Sequence, residues 1–462
     1  MASVPNLGSA VPPPPPVWDA RPPETVVRYA GFWLRLVAWI VDMIALAIVW
    51  QIVSLAFPPL PVPPPTGASA SLLWQYWLDS LSPDKGLLPK WEKNGPPLAW
   101  KEPAKDLGTG FSSVAVVGDK IFTMGDVGDS YYVFALQRAS GNKLWQAKVG
   151  GSGAPGGYAG PRSTPTVDGD LLFALGQNGN LICLEAAGGK EVWKKDMRKD
   201  FGGNVGGWGY SESPLVDGDK LLCTPGGKDA AIVALNKKTG AVIWKAVVPG
   251  DRAEYSSMTV AEVGGIRLYV QLLANNVAGI SAKDGKLLWT YEKLGHNTAN
   301  IPTPVVKGDL VFCAAGYGKG GALLKLTAKG GQVTVQEVYF NGDLTNRHGG
   351  VVLVGDHLYG DCDDGGNPYC AEFKTGKVVS SWKKQSKGGG SMAVTYADGH
   401  LYCRYANGIV ALVDASPAGY RETGSFKIAN VRGPSWPHPV VVDGRLYLRE
   451  QEKLWCYDVK AK

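Results

Sequence analysis

Polar and aromatic side chains stand directly before a series of short apolar strands, at positions that vary from one sequence repeat to the next. Two of these residues, Arg162 and Arg347, have the guanidinium geometry that clamps a carboxylate, and Glu212 has the acceptor oxygens to orient a donor. If the strands converge on one axis, these side chains would form a ring around a ligand. The candidate ligand-binding residues are Arg162, Tyr210, Glu212, Tyr255, Asn300, Arg347, His348 and His438. The same residues would equally serve to solvate and fasten a channel mouth without any ligand.

Other groups that could do chemistry offer weaker patterns. The seven cysteines include no adjacent pair, and most stand alone inside apolar strands, as expected of small buried side chains. Cys362 and Cys370 flank a Gly-Asn-Pro loop, and they could form a disulfide in an oxidising compartment. Asp361, Asp363 and Asp364 fit either a cation site or a solvated turn, and they lack EF-hand spacing. We assign no catalytic residue and predict no metal site.

The elements that position these residues repeat along the chain. Eight tight turns centred on glycine recur at intervals of 43 to 51 residues from residue 98 onward, each between two apolar strands. The turn glycines are Gly118, Gly169, Gly218, Gly265, Gly308, Gly355, Gly399 and Gly444. Four strands in each repeat of this length are typical of one blade of a β-propeller.

A tryptophan marks the last strand of most repeats, four residues after a second glycine turn. The spacing is kept in four repeats, decays to Gly331/Val335 in the fifth and stretches to Gly376/Trp382 in the sixth. Such a side chain would wedge between neighbouring blades and bury a large apolar area. The predicted docking residues are Trp100, Trp145, Trp193, Trp244, Trp289 and Trp382.

The strand count predicts how the ring closes. The last repeat ends after its third strand, whereas residues 97–101 read as an isolated fourth strand before the first repeat. Pairing the two would remove the exposed edge of a linear array. We therefore predict an all-β, eight-bladed β-propeller of four-stranded antiparallel blades, closed by an N-terminal strand, over residues 90–462. The ring is expected to be monomeric.

Units such as residues 233–240 (VALNKKTG) followed by Trp244 resemble the pyrroloquinoline quinone (PQQ)-like β-propeller repeat family, and the match extends over residues 90–462. That family includes quinoprotein dehydrogenases and a non-enzymatic propeller of outer-membrane assembly. The dehydrogenases imply vicinal cysteines, a Ca²⁺ site and a catalytic aspartate. The first of these is absent here, so PQQ with Ca²⁺ stays an alternative and no cofactor is assigned.

The N-terminal part differs in composition from the rest. Residues 1–30 form a proline-rich arm, 31–57 a membrane anchor and 58–89 a proline-rich linker. Residues 36–57 carry one charge, Asp42, and are long enough to span a bilayer as a helix, although a buried core helix would show the same pattern. Arginines lie before this segment and none directly after it, so the positive-inside rule predicts a cytoplasmic N-terminus and an extracytoplasmic propeller.

The start of the anchor, Tyr29-Ala-Gly-Phe-Trp33 with Arg35 and Asp42, resembles the first helix of RDD-family membrane proteins. Those two charges share a helix face and could contact a partner helix, or Asp42 could be a tolerated remnant.

Composition limits the function. Lys and Arg exceed Asp and Glu by 47 to 41, a net charge of +6 that gives no reason to expect nucleic-acid binding. We predict a non-catalytic module that binds a protein or small ligand at the channel mouth, with a quinoprotein-like oxidoreductase as the alternative.

Overall fold

The computed structural model describes residues 80–153, 155–363, 365–382, 384 and 387–461. The predicted arm, the anchor with Arg35 and Asp42, and most of the linker lie outside these residues. Within them, no helix has the length and hydropathy needed to cross a membrane. Residues 65–462 constitute one compact unit, and the described part of it is an eight-bladed antiparallel β-propeller, as the sequence predicts.

The first strand, β1 (Leu81–Ser82), precedes the blades. Blades 1 to 4 comprise β2 (Ala115–Val117), β3 (Lys120–Val127), β4 (Ser130–Gln137) and β5 (Lys143–Gly151); β6 (Thr166–Asp168), β7 (Leu171–Leu175), β8 (Asn180–Glu185) and β9 (Glu191–Asp196); β10 (Leu215–Asp217), β11 (Lys220–Cys223), β12 (Ile232–Asn236) and β13 (Val242–Ala246); β14 (Thr259–Val263), β15 (Ile266–Leu272), β16 (Val277–Ser281) and β17 (Leu287–Tyr291). Blades 5 to 8 comprise β18 (Val305–Lys307), β19 (Leu310–Ala315), β20 (Gly320–Lys329) and β21 (Gln332–Asn341); β22 (Val352–Val354), β23 (His357–Asp361) and β24 (Pro368–Glu372); β25 (Met392–Ala397), β26 (His400–Tyr405), β27 (Ile409–Asp414) and β28 (Glu422–Lys427); β29 (Val440–Val442), β30 (Arg445–Glu450) and β31 (Lys453–Asp458). A 3₁₀ turn (Pro155–Gly157) and a short helix, α1 (Met197–Phe201), lie in loops.

The eight predicted turn glycines all adopt positive φ angles, between 58° and 82°. Glycine carries no Cβ and therefore reaches this region without steric cost, which is why each turn between the first two strands of a blade uses it.

Tryptophan side chains join successive blades. The ring of Trp145 in blade 1 lies on Gly189 of blade 2, so close that a Cβ there would be 2.6 Å from its Cε3 atom. The indole N–H of Trp145 donates to the Ala187 carbonyl at 3.0 Å. Trp193 repeats both contacts one blade later, on Gly240 and with the Lys237 carbonyl at 3.0 Å.

Blade 5 makes the same contact with a different residue. Tyr339 on β21 lies on Gly376 and donates its hydroxyl to the Phe373 carbonyl at 3.0 Å. The glycine–tryptophan spacing misses this residue because β20 and β21 form a hairpin of ten-residue strands, longer than in the other blades.

Residues 97–107 complete blade 8 through isolated bridges alongside β31. The Ala99 N–H donates to the Cys456 carbonyl at 2.8 Å, and Ala104 and Leu454 exchange two hydrogen bonds of 3.0 Å. Arg449, which is fully buried, donates to the carbonyls of Leu107 at 2.8 Å and Gly108 at 2.9 Å. The N-terminal segment thus closes the ring, although it is too irregular to form a continuous strand.

The structure contains no disulfide between Cys362 and Cys370, and both are free. Cys370 lies opposite Tyr359 in the β23–β24 pair, whereas the Cys362 amide pairs with Asn367, three positions away. At about 3.3 Å per residue along a strand, this register separates the two cysteines beyond disulfide reach. The Cys362 thiol instead donates to the Asp343 carbonyl at 3.4 Å.

Candidate functional site

The loops that precede the innermost strands surround a cavity of about 350 Å³ at one end of the central channel. We call these segments the mouth loops and the space between them the mouth cavity. Among the described residues, seven of the eight blades contribute to its wall. Its charged and aromatic lining residues are Phe111, Tyr158, Arg162, Trp208, Tyr255, Tyr317, Arg347, His348, Trp436 and His438.

Aromatic rings cluster around Trp436. Its indole stacks on the His348 ring with a centroid distance of 4.5 Å and an interplanar angle of 15°. Phe111 and Tyr158 lie 5.0 Å and 5.1 Å from the same indole. These rings offer flat apolar surfaces to whatever occupies the cavity.

Two guanidinium groups face the cavity from different sides. Arg162 donates to the carbonyls of Trp208 at 3.0 Å and Tyr158 at 2.9 Å, and burial lowers its pKa to about 10. The Arg347 guanidinium lies over the Tyr317 ring at 4.0 Å from the centroid. Among the described residues, no aspartate or glutamate lines the cavity. The two arginines bring positive charge to the mouth cavity, and a bound anion would offset part of the cost of burying Arg162.

Both mouth histidines are neutral at physiological pH. Burial lowers the pKa of His348 to about 4, helped by the positive charges of Arg347 and Arg162. Burial also lowers the pKa of His438 to about 4. The His348 Nδ1 atom lies 3.0 Å from the Ser391 hydroxyl, so its ring is held in place by hydrogen bonding as well as by stacking.

Three of the candidate residues lie behind the cavity wall instead of in it. Tyr210 is buried and donates its hydroxyl to the Pro225 carbonyl at 2.9 Å. Glu212 is buried and accepts from the Thr224 hydroxyl at 2.7 Å. Asn300 donates its amide to the Leu273 carbonyl at 2.8 Å. These three brace the mouth loops from behind.

Five aromatic lining residues are missing from the candidates chosen from the sequence. They are Phe111, Tyr158, Trp208, Tyr317 and Trp436. Tyr158 and Trp208 belong to glycine-rich loops outside the repeat register, and Tyr317 follows a strand end, so the repeat alignment could not mark them. Their aromatic character in loops that lead to the channel is the signal that could have found them.

At the base of the cavity, a belt of hydroxyl groups links the segments that lead into the inner strands. The Ser113 N–H donates to the Thr164 hydroxyl at 3.2 Å. In the same way the Thr164 N–H donates to the Ser213 hydroxyl at 3.1 Å, and the Ser213 N–H to the Ser257 hydroxyl at 2.9 Å. Each bond joins one blade to the next, from blade 1 to blade 4. A second cavity of about 190 Å³ lies beyond it, towards the hairpin turns.

The described residues contain no group of three His, Cys, Asp or Glu side chains placed to hold a metal ion. Two members of the aspartate cluster are used otherwise: Asp361 accepts from the Met392 N–H at 2.9 Å, and Asp363 from the Tyr317 N–H at 2.8 Å. A calcium ion selects carboxylate and carbonyl oxygens, whereas the described lining offers guanidinium groups and neutral hydroxyls. The cavity thus suits a planar anion but does not fit a quinone held through calcium.

Comparison with known proteins gives the family and the fold. Residues 129–384 match the PQQ_2 family model, described as outer membrane protein assembly factor BamB. Tetrathionate hydrolase of Acidithiobacillus ferrooxidans is 24% identical over 331 residues, 68% of this chain and 53% of that protein. BamB of Shewanella oneidensis is 25% identical over 258 residues, 52% of this chain and 61% of that protein.

Among solved structures, quinohemoprotein alcohol dehydrogenase from Comamonas testosteroni superposes with a TM-score of 0.56 at 13% identity, covering 83% of this chain and 79% of that one. This likeness shows the shared propeller fold alone. The chain matches little more than half the length of its curated relatives, 53% and 61%.

Proposed function

Because the chain belongs to the PQQ_2 family described as outer membrane protein assembly factor BamB, we propose that it is an extracytoplasmic, membrane-tethered propeller that binds a partner without turning it over. The partner presents an acidic and aromatic segment to the mouth cavity. The observation that carries this proposal is the lining itself, which combines Arg162 and Arg347 with aromatic rings and includes no described aspartate or glutamate.

The chemistry of the cavity favours such a ligand. A guanidinium binds a carboxylate through two parallel hydrogen bonds, and the low polarity of the aromatic wall strengthens that attraction relative to water. Aromatic side chains of the partner would stack on Trp436 and Trp208, as interface aromatics commonly do. Both features act together only on a ligand that carries negative charge next to rings.

The tether and the compartment are part of the proposal. The apolar residues 36–57, with arginines on their N-terminal side only, support a single span and a propeller outside the cytoplasm. The BamB relatives are outer membrane protein assembly factors, which supports the same compartment and a protein partner.

A binding titration of the full-length protein in nanodiscs tests the proposal. The probe is a fluorescein-labelled peptide of alternating tryptophan and aspartate. Arg162→Gln should raise the Kd of the peptide by about tenfold or more, since one charge-assisted hydrogen bond is worth about 1.5–3 kcal/mol. The control Arg267→Gln removes an arginine that pairs with Asp217 on the ring exterior, and it should leave the Kd unchanged. Equal affinity in all three proteins, or no binding at all, contradicts the proposal.

A quinoprotein-like oxidoreductase is the second candidate, and the cationic, ring-lined cavity favours it as well. PQQ is a planar tricarboxylate, so Arg162, Arg347 and the Trp436 indole would meet its charges and its face. Since the described lining lacks calcium donors, PQQ should bind equally with and without added Ca²⁺. An absorbance titration with PQQ decides this candidate, and a flat titration removes it.

A further inference from the structure

The first described residues of the chain lie inside the central channel. β1 pairs in parallel with β25, the innermost strand of blade 7, with Leu81 opposite Tyr396 and Ser82 opposite Ala397. The Tyr396 N–H donates to the Ser80 carbonyl at 2.8 Å, and the Ser80 hydroxyl lies 3.3 Å from the His438 Nδ1 atom. This pairing fixes both the position and the direction of the segment.

The segment runs from the mouth cavity towards the opposite end of the channel, where the turns between the first two strands of each blade lie. Ser80 lines both cavities, whereas Leu81, Ser82 and Pro83 line only the one beyond the hydroxyl belt. The chain then leaves between two hairpin turns. There the Gly444 N–H donates to Asp84 at 2.7 Å, and the Leu87 N–H donates to Asp398 at 3.0 Å.

Covalent connectivity decides where the preceding residues begin. Ser80 lies at the boundary between the two cavities and residues 81–83 continue into the second one, so the polypeptide that precedes Ser80 starts at the mouth cavity. Eight residues span at most about 26–29 Å when extended. Residues 72–79 lie outside the described residues, but their attachment to Ser80 keeps them within this distance of the lining side chains, at a high effective concentration.

Their composition complements the cavity. Residues 72–79 read LLWQYWLD, with Asp79 next to Ser80 and three aromatic side chains within the preceding five positions. The lining supplies Arg162, Arg347 and a cluster of aromatic rings, and none of its described members is acidic. The acidic and aromatic composition of the segment thus complements the basic and aromatic composition of the cavity wall.

We propose that residues 72–79 occupy the mouth cavity as a tethered, intramolecular ligand. This inference rests on the proposed binding function of the same cavity and adds its regulation. An external partner must displace the segment. The partner's apparent Kd is therefore its intrinsic Kd divided by the fraction of molecules in which the cavity is empty.

Hydrogen exchange of the full-length protein in nanodiscs tests this occupancy. Amides of residues 72–79 should exchange at least about tenfold more slowly than unstructured references, because seating them restricts local opening. In Arg162→Gln that protection should fall by about the same factor, while in the control Arg267→Gln it should persist. Fast exchange in the wild-type protein, or identical protection in both variants, overturns the occupancy.

A second variant separates this inference from the proposed function. Asp79→Asn should weaken the seated segment and tighten binding of the tryptophan–aspartate peptide by about threefold to tenfold, through release of the cavity. If the peptide binds with unchanged affinity while the segment exchanges fast, intramolecular occupancy fails and the binding function stands. If the peptide binds neither protein while the segment is protected, the cavity serves the tether alone and the binding function fails.

Discussion

At the scale of single residues, a buried carboxyl group stands behind the mouth cavity. In the described part of the chain no cation pairs with Glu212, and burial raises its pKa to about 7 despite hydrogen bonds from Thr224. The folded protein therefore keeps the proton on Glu212 up to about pH 7, whereas the unfolded chain releases it near its ordinary pKa of 4.5. The stability that the protonated group provides is fully present below pH 4.5 and is lost as the pH rises to 7.

Glu212→Gln should remove that pH dependence. Between pH 5 and pH 8 the unfolding free energy of the wild-type protein should fall relative to the variant by about 2 kcal/mol, measured by urea denaturation at both pH values. Exposed Glu262→Gln is the matched control and should follow the wild-type curve. Parallel pH profiles for all three proteins would show that Glu212 ionises in the folded state as it does in water.

The candidate site was predictable in part at this scale. Five of the eight candidate residues line one cavity, because each directly precedes an inner strand; they are Arg162, Tyr255, Arg347, His348 and His438. The repeats could not separate these from Tyr210, Glu212 and Asn300, which occupy equivalent positions. Whether a side chain points to the axis or to the neighbouring blade depends on the conformation of its loop. The spacing of residues in a sequence does not reveal that conformation.

At the scale of elements, neighbouring blades are joined by an aromatic side chain of one blade that lies on a turn glycine of the next. The contact needs two conditions at the glycine: a positive φ angle and no Cβ. Trp145 and Gly189 meet both, as do Trp193 and Gly240. The repeat predicted the blades and their turns well because both conditions leave a fixed glycine in the sequence. It failed in blade 5, where Tyr339 makes the contact from a longer hairpin.

A pair of glycine substitutions separates the two conditions. Gly189→Ala introduces a Cβ at φ +74°, 2.6 Å from Trp145, whereas Gly169→Ala introduces one at φ +58° with nothing within 4 Å. The second should cost about 1–2 kcal/mol from backbone strain alone. The first should cost a further 1–3 kcal/mol or so, because the indole must move. Denaturant titration measures both, and equal losses would mean that the indole yields freely.

At the scale of the whole molecule, ring closure depends on a buried cation. Arg449 lies on β30 and holds the closing segment through the carbonyls of Leu107 and Gly108, and burial lowers its pKa to about 9. The repeat predicted closure from the missing fourth strand. The repeat could not predict the hydrogen bonds of Arg449, since an arginine at this place in an apolar strand does not recur from one repeat to the next.

Arg449→Met should lower the unfolding free energy by about 3 kcal/mol and speed hydrogen exchange at Ala99 and Ala104. The loss leaves two buried carbonyls without their donor. Arg445→Met on the same strand removes a solvent-accessible ion pair with Asp458 and should cost under about 1 kcal/mol. If both variants lose the same stability, closure does not depend on Arg449.

The closing pair also imposes an order of events on biosynthesis. About 360 residues separate Leu98 from its bridge partner Tyr457. At roughly 5–20 residues per second, the ribosome needs about 20–70 seconds to deliver the second partner after the first. During that interval the residues around Leu98 remain an unsatisfied strand edge, and residues 80–83 must already lie on the axis before the last blade arrives. A nascent chain that closes early would leave residues 80–83 outside the ring, so chaperone protection of this segment during folding would improve the yield of correctly threaded molecules.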